Sequence, residues 1–160
     1  MKNEIEVIDN FLPTYQFKSL KNILFSTHFP WYFNNQKVYK TKHLNDFQFC
    51  NTFKDGNTAN NLIDIFIKKL KIKKLLRAKL NLTTRTEKIY KFNYHQDWDS
   101  DCNIAIYYIN SNNGYTYFKN KTKIFSEENK IIIFDNKLKH YGTTSTNTKT
   151  RIVLNMCFLN

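Results

Sequence analysis

The sequence predicts an α+β fold in which N-terminal helices back a sandwich or jelly roll of short strands. Three observations predict it. Apolar residues recur at helical spacing in two stretches of the first half. After Ala78 the spacing changes to alternation, in a series of short β-rich runs. Clusters such as NSNNG and TSTNT punctuate those runs as turns. Short strands with frequent turns bury their apolar faces by packing as two sheets.

Ile5 to Ile8 reads as a strand. Asp9, Asn10 and Pro13 are helix-entry signals, and Phe17, Leu20, Ile23 and Leu24 then recur as one helical face up to Phe25. Proline and aromatics at 29–33 break that pattern, and residues 34–57 show no readable period. A second helix is expected from about Thr58 to Leu70, with Leu62, Ile65, Phe66 and Leu70 on one face and a helical turn continuing through Leu75. Ala78, Leu80 and Leu82 alternate with polar residues, and Ile89 to Tyr94 follows as an extended run. Asn103–Ile109, Tyr115–Phe118, Thr122–Phe125, Lys130–Phe134 and Arg151–Leu159 complete the strands. No linker composition separates the halves. A single domain over 1–160 is expected, with helical support over about 1–76 and the jelly-roll core over about 77–160.

The chain is 41% hydrophobic and 16% aromatic with two prolines and three glycines, which is the composition of a folded domain. Cys50, Cys102 and Cys157 are odd in number and form no CxxC, which argues against a disulfide framework and a thiolate zinc site. A reducing compartment follows. MKNEIEVIDNF lacks the apolar segment of a signal peptide, and no apolar run reaches membrane-spanning length. The expectation is a cytoplasmic protein with no membrane partner. The formal net charge of +12 suits an acidic partner. The dense basic cluster KKLKIKKLLRAK, from Lys68 to Lys79, carries no interleaved aromatics, so composition alone accounts for it.

FNYHQDWDSD, residues 92–101, holds one of only four histidines, two residues before an aspartate. On a strand His95 and Asp97 would share a face; the stretch also reads as a polar turn. With His140 they make two imidazoles and one carboxylate, the donor set of non-haem iron(II) sites that leave positions open. Arg151 interrupts an otherwise apolar strand. If a hairpin turns near Ser145 and Thr146, His140 and Arg151 lie opposite each other with Cβ atoms about 5 Å apart. A guanidinium there could take one end of a dicarboxylate bidentately. His28 and His43 read as packing or surface residues, with a substrate groove as the alternative for His43. Asp99 and Asp101 read as turn formers, Asp135 and Asn136 as a strand end capping a turn. Trp31, Tyr32 and Phe33 read as core or rim, and Trp98 as a substrate wall or a cover on the core.

YHQD, IYYIN, NGYTYF, a strand ending in His140 and TRIVLNMCF together resemble the iron(II)- and 2-oxoglutarate-dependent oxygenases, in particular the prolyl 4-hydroxylase-like branch. The resemblance covers roughly Tyr90 to Phe158. It implies a double-stranded β-helix, the cupin-like jelly roll. It implies that His95, Asp97 and His140 bind Fe(2+) and carry catalysis, that Arg151 and Tyr108 hold the distal carboxylate of 2-oxoglutarate, and that Thr116 lines that pocket. The chain departs from the pattern at Asn113-Gly114, where the branch has two glycines, and at Tyr141-Gly142 after the distal histidine.

The resemblance further implies hydroxylation of a C–H bond using O2, with release of succinate and CO2 and with ascorbate as a further cofactor to test. The expected substrate is a prolyl residue of a peptide or protein. Two alternatives stand beside it: an AlkB-like oxidative demethylase of nucleic acid, and a non-catalytic binding module on the same fold. Against the demethylase, no second arginine follows Arg151 in that branch's spacing. The sequence leaves oligomeric state unread.

Overall fold

The computed structural model describes residues 4–36, 44–53 and 61–160. His43 lies outside the described residues. Twelve elements follow in chain order: β1 (Glu6–Ile8), α1 (Thr14–Leu24), β2 (Tyr32–Asn34), β3 (Gln48–Phe53), α2 (Asn61–Leu70), β4 (Lys74–Thr84), β5 (Asn103–Tyr108), β6 (Tyr115–Phe118), β7 (Lys123–Phe125), β8 (Lys130–Asp135), β9 (His140–Gly142) and β10 (Thr150–Leu159).

Proline cannot continue a helix backwards, and Pro13 opens α1: its carbonyl accepts the Phe17 N–H at 3.0 Å. α1 buries Phe17, Leu20 and Leu24, one face at helical spacing. α2 ends before Leu75, contrary to the expected continuation. Lys71 adopts the left-handed conformation at φ 54°. The Ile72 N–H then reaches back to the Ile67 carbonyl at 3.0 Å and the Lys71 N–H to Lys68 at 3.2 Å, a Schellman stop. The chain is extended again by Lys74.

Seven strands form one antiparallel sheet in the order β1-β8-β5-β10-β4-β3-β2; three form a second, β7-β6-β9. β10 lies between β5 and β4, and its two faces serve two cores. Ile152, Leu154, Met156 and Phe158 join Ala78, Leu80, Tyr107 and the helices in an outer core. Val153 and Cys157 join Ile106, Tyr108, Phe118 and Phe134 in a core between the two sheets. Strand alternation produces this division, because successive side chains point to opposite faces. Each fully buried large side chain contributes about 1.5–3 kcal/mol. This is the double-stranded β-helix, with helices against its larger sheet.

Asn129 fastens the N-terminal segment to that frame. Left-handed at φ 60°, it accepts the Leu12 N–H and donates to the Leu12 carbonyl, both at 2.8 Å. The buried Tyr107 hydroxyl donates to the same Asn129 oxygen at 2.7 Å.

Two other expectations change. Residues 89–94 form no continuous strand. They run beside β9 through isolated bridges at Lys91–Thr143 and His95–His140. His140 and Arg151 are not opposed in a hairpin: β9 pairs with β6, whereas β10 pairs with β4 and β5. The segment between them crosses from one sheet to the other, so the two side chains face a common interior from different walls. Among the described residues no helix is long and apolar enough to cross a membrane.

Candidate active site

His95 and His140 are joined by paired backbone hydrogen bonds. The His95 N–H donates to the His140 carbonyl at 3.0 Å and the reverse bond measures 3.2 Å. Such pairing places directly opposed side chains close together, and the two ring centroids stand 4.8 Å apart. Regular structure stops there, and Asp97 sits on the following bend. Both sequence readings of this stretch are thus partly right: His95 is on a strand edge and Asp97 is in a turn. Asp97 oxygens lie 3.8 Å from His95 Nε2 and 3.3 Å from His140 Nε2. The three ligand atoms all fall within 4.8 Å of one another, a group that could hold a metal ion.

Partners around this group fix its orientation. His95 Nδ1 lies 3.0 Å from the Asn93 carbonyl, and the opposite ring nitrogen, Nε2, faces the Asp97 carboxylate. Asn155 Nδ2 donates to Asp97 Oδ2 at 2.9 Å, and Arg77 Nη2 approaches Asp97 Oδ1 at 3.4 Å. Burial pushes the Asp97 carboxyl up, but the charge and hydrogen bond of His140, the charge of His95 and the Asn155 bond hold it well below the usual carboxylate range. His140 Nδ1 is buried with no hydrogen-bond partner.

Asn136 holds the bend. Its side-chain oxygen accepts the N–H groups of Asp97 and Trp98 at 3.1 and 3.2 Å, and its amide donates to the carbonyls of Trp98 and Ser100 at 2.7 and 3.0 Å. Sequence reading gave Asn136 only a turn-capping role. Arg77 was counted only in the basic cluster. It lies on the face of β4 opposite Ala78, bridges Asp97, Asn155 and the Cys157 sulfur, and packs over Trp98 at 5.9 Å. Its place after Leu76 and before Ala78 in an alternating strand was the available signal. Trp98 packs against the inter-sheet core.

At the other end of the interior Arg151 is 3% exposed. Its Nε donates to Ser126 Oγ at 2.8 Å, and Nη2 approaches Thr116 Oγ1 at 3.4 Å. The guanidinium lies 5.8 Å from the Tyr108 ring, and the Tyr108 hydroxyl donates to Thr116 Oγ1 at 2.9 Å. No carboxylate pairs with Arg151 among the described residues, and burial lowers its pKa. Burial likewise pushes the Tyr108 hydroxyl up to about 12, so it remains a neutral donor. The structure brings Arg151, Tyr108 and Thr116 together and adds Ser126, which sequence reading missed. Gly114 is needed here for close approach: a Cβ would meet Arg151 Cδ at 2.6 Å and the Thr144 carbonyl at 2.9 Å.

No family model matches the sequence, and no curated protein matches it. Solved structures do match the fold. The viral collagen prolyl hydroxylase of Paramecium bursaria Chlorella virus 1, in its 2OG complex, is 19% identical, with 96% of this chain and 94% of that one covered and a TM-score of 0.65. A Trichoplax adhaerens prolyl hydroxylase, in complex with a peptide fragment of the hypoxia inducible factor oxygen degradation domain, is 14% identical over 99% and 84% of the two chains, at 0.69. An oxidoreductase of the 2OG-Fe(II) oxygenase family from Burkholderia pseudomallei is 8% identical over 96% and 84%, at 0.62. The fold is that of the 2-oxoglutarate/iron(II) oxygenases, in its prolyl 4-hydroxylase-like form.

Within this oxygenase fold the remaining sequence-singled residues fall outside the site. His28 is exposed, as are Asp99, Asp101 and Asp135. Asp135 accepts the Lys137 N–H at 2.7 Å, a turn contact. Trp31 packs against the outer core, while Tyr32 and Phe33 are exposed.

Proposed function

We propose that this chain is an iron(II)- and 2-oxoglutarate-dependent dioxygenase that hydroxylates a C–H bond of a prolyl residue in a peptide or protein. One observation carries the reading: a His–Asp–His group and a buried guanidinium with no acid partner among the described residues share the interior of one oxygenase-type barrel. An unpaired buried charge is costly, and a dicarboxylate co-substrate supplies the missing anion.

The residues fit the groups. Two imidazoles and a carboxylate on one side suit iron(II) with open positions, and His95 and His140 each direct Nε2 toward Asp97. His95, Asp97 and His140 would hold the metal. When bound, ferrous ion with 2-oxoglutarate and dioxygen supplies the oxidising power, and succinate and CO2 are released. The protein's own task is placement. Arg151 takes the distal carboxylate, aligned by Ser126. Tyr108 and Thr116 add neutral hydroxyls to the same pocket. Ile106, Val153 and Phe118 make the intervening wall apolar and exclude water from it. A prolyl substrate is supported by the collagen prolyl hydroxylase and by the prolyl hydroxylase bound to a peptide fragment among the similar structures.

Anaerobic addition of iron(II) and 2-oxoglutarate should give a weak visible charge-transfer band that His95→Ala and Asp97→Ala lose. Aerobic turnover with a prolyl peptide should add one oxygen to the peptide and form succinate. A wild-type protein with neither band nor succinate is not this enzyme. Succinate formation with methylated oligonucleotides but never with prolyl peptides would keep the chemistry and overturn the substrate.

A further inference from the structure

The smaller sheet turns its inward side chains, Thr116, Phe118 and His140, toward the site. The side chains between them point outward and are aromatic. Tyr94 meets Tyr141 at 4.9 Å between ring centroids, Tyr141 stacks on Tyr117 at 5.4 Å, and Tyr115 meets Tyr141 at 6.4 Å and Phe125 at 6.0 Å. The row thus crosses β9, β6 and β7 from the edge at residues 90–95, three strand spacings or about 14 Å. Its two ends are open, with Tyr94 40% and Phe125 45% exposed, and Tyr117 is half-buried, whereas Tyr115 and Tyr141 are buried and support them from beneath.

Lysines border it. Lys123 lies 4.2 Å from the Tyr115 ring and 4.6 Å from that of Phe125, and Lys119 lies 5.8 Å from the Tyr94 ring. Lys121 and Lys139 are exposed beside them. The segments that build this sheet, 88–95, 114–125 and 136–143, contain no Asp or Glu at all. No salt bridge among the described residues engages Lys119, Lys121, Lys123 or Lys139. Part of the basic excess of the chain therefore lies, unneutralised, where aromatic rings are interleaved with it. The cluster from Lys68 to Lys79 lacks that interleaving.

We propose that the outer face of the β7-β6-β9 sheet binds single-stranded nucleic acid, with the lysines on phosphates and the exposed rings of the row, Tyr94 and Phe125, stacking on bases. Flat aromatic rings framed by ammonium groups are the two components such binding uses. An acidic peptide would use the lysines and leave the aromatic rings without a role; an anionic bilayer takes both ring and lysine, and comparison with vesicles separates it. The surface is separate from the metal-facing interior, so it binds whether or not the proposed hydroxylation occurs.

Fluorescence anisotropy with a labelled mixed-sequence single-stranded oligonucleotide tests this, with a salt series for each protein. The wild type should bind the single strand more tightly than the matching duplex, and more tightly than a polyglutamate peptide or vesicles containing phosphatidylserine. The double charge reversal Lys119→Glu/Lys123→Glu should reduce the slope of log K against log salt by about 1.4, two phosphate contacts at about 0.7 each. Phe125→Ala should weaken binding roughly fivefold or more while leaving that slope unchanged. Circular dichroism should show both variants folded. Absence of oligonucleotide binding at 50 mM salt, equal affinity for duplex, preference for the peptide or the vesicles, or an unchanged slope in the folded double variant would each overturn the proposal.

Discussion

Asn136 Oδ1 accepts the backbone N–H of Asp97 at 3.1 Å, tying the end of β8 to the bend that presents the site's carboxylate. The same side chain makes three further bonds to that bend, to the Trp98 N–H and to the carbonyls of Trp98 and Ser100. It touches no ligand atom of the site. Asn136→Ala leaves four backbone groups without these partners, and Asp97 loses its fixed position. We expect metal affinity to fall by about 10- to 100-fold, as when other supporting partners of metal ligands are removed. Anaerobic calorimetric titration with iron(II), or with manganese(II) as an inert probe, measures it. An unchanged affinity in a folded variant would show that the bend holds itself.

Gly114 makes room for the Arg151 stem. Gly114→Ala places a methyl 2.6 Å from Arg151 Cδ, 2.8 Å from Asn112 Oδ1 and 2.9 Å from the Thr144 carbonyl. One obstacle is backbone, so relaxation must displace either the crossing segment or the arginine. Overpacking of this kind costs roughly 1–3 kcal/mol. We expect a lower melting temperature together with a raised KM for 2-oxoglutarate. A loss of stability with KM untouched would mean that Arg151 keeps its place and the main chain yields.

Tyr107 and Tyr108 are neighbours in β5 with opposite assignments. The Tyr107 hydroxyl serves Asn129 on the helix side; that of Tyr108 serves Thr116 inside the barrel. Each Phe variant deletes one buried hydrogen bond, a loss of about 1 kcal/mol or somewhat more. Tyr107→Phe should lower the melting temperature and leave the KM for 2-oxoglutarate alone. Tyr108→Phe should raise that KM several-fold. Steady-state succinate assays on both proteins separate the two roles, and equal KM effects would defeat the assignment of faces.

Much of this division was legible in the sequence. The alternation around IYYIN already put Ile106 and Tyr108 on one face and Tyr107 on the other, because period-2 side-chain direction is local. Arg151 was visible as a charge in an apolar strand, and His95, Asp97 and His140 as a donor set. What the sequence did not disclose depends on contacts between distant segments. Asn136 and Ser126 are ordinary turn residues until another loop supplies their partners. Arg77 looked like one lysine-rich cluster among its neighbours until the sheet register set it beside Asp97. The opposed pairing of His140 and Arg151 failed for a similar reason: residues 143–149 have turn composition, and composition does not distinguish a hairpin from a crossover between sheets.

Asp97 also sets an acid limit on the metal-free protein. Its carboxyl is pushed up by burial but held lower on balance by His140, His95 and Asn155. A carboxyl lowered in the folded state contributes its stability in full above its unfolded value, about 3.9. That contribution is lost as pH falls through the lower folded value. Asp97→Asn removes the charge and the contribution with it. Urea unfolding of both metal-free proteins at pH 6, 5, 4 and 3 should therefore show the wild type more stable at pH 6 and 5. The difference should shrink below about pH 4. A difference that stays constant down to pH 3 would mean that Asp97 gains nothing from the two imidazoles in the folded chain.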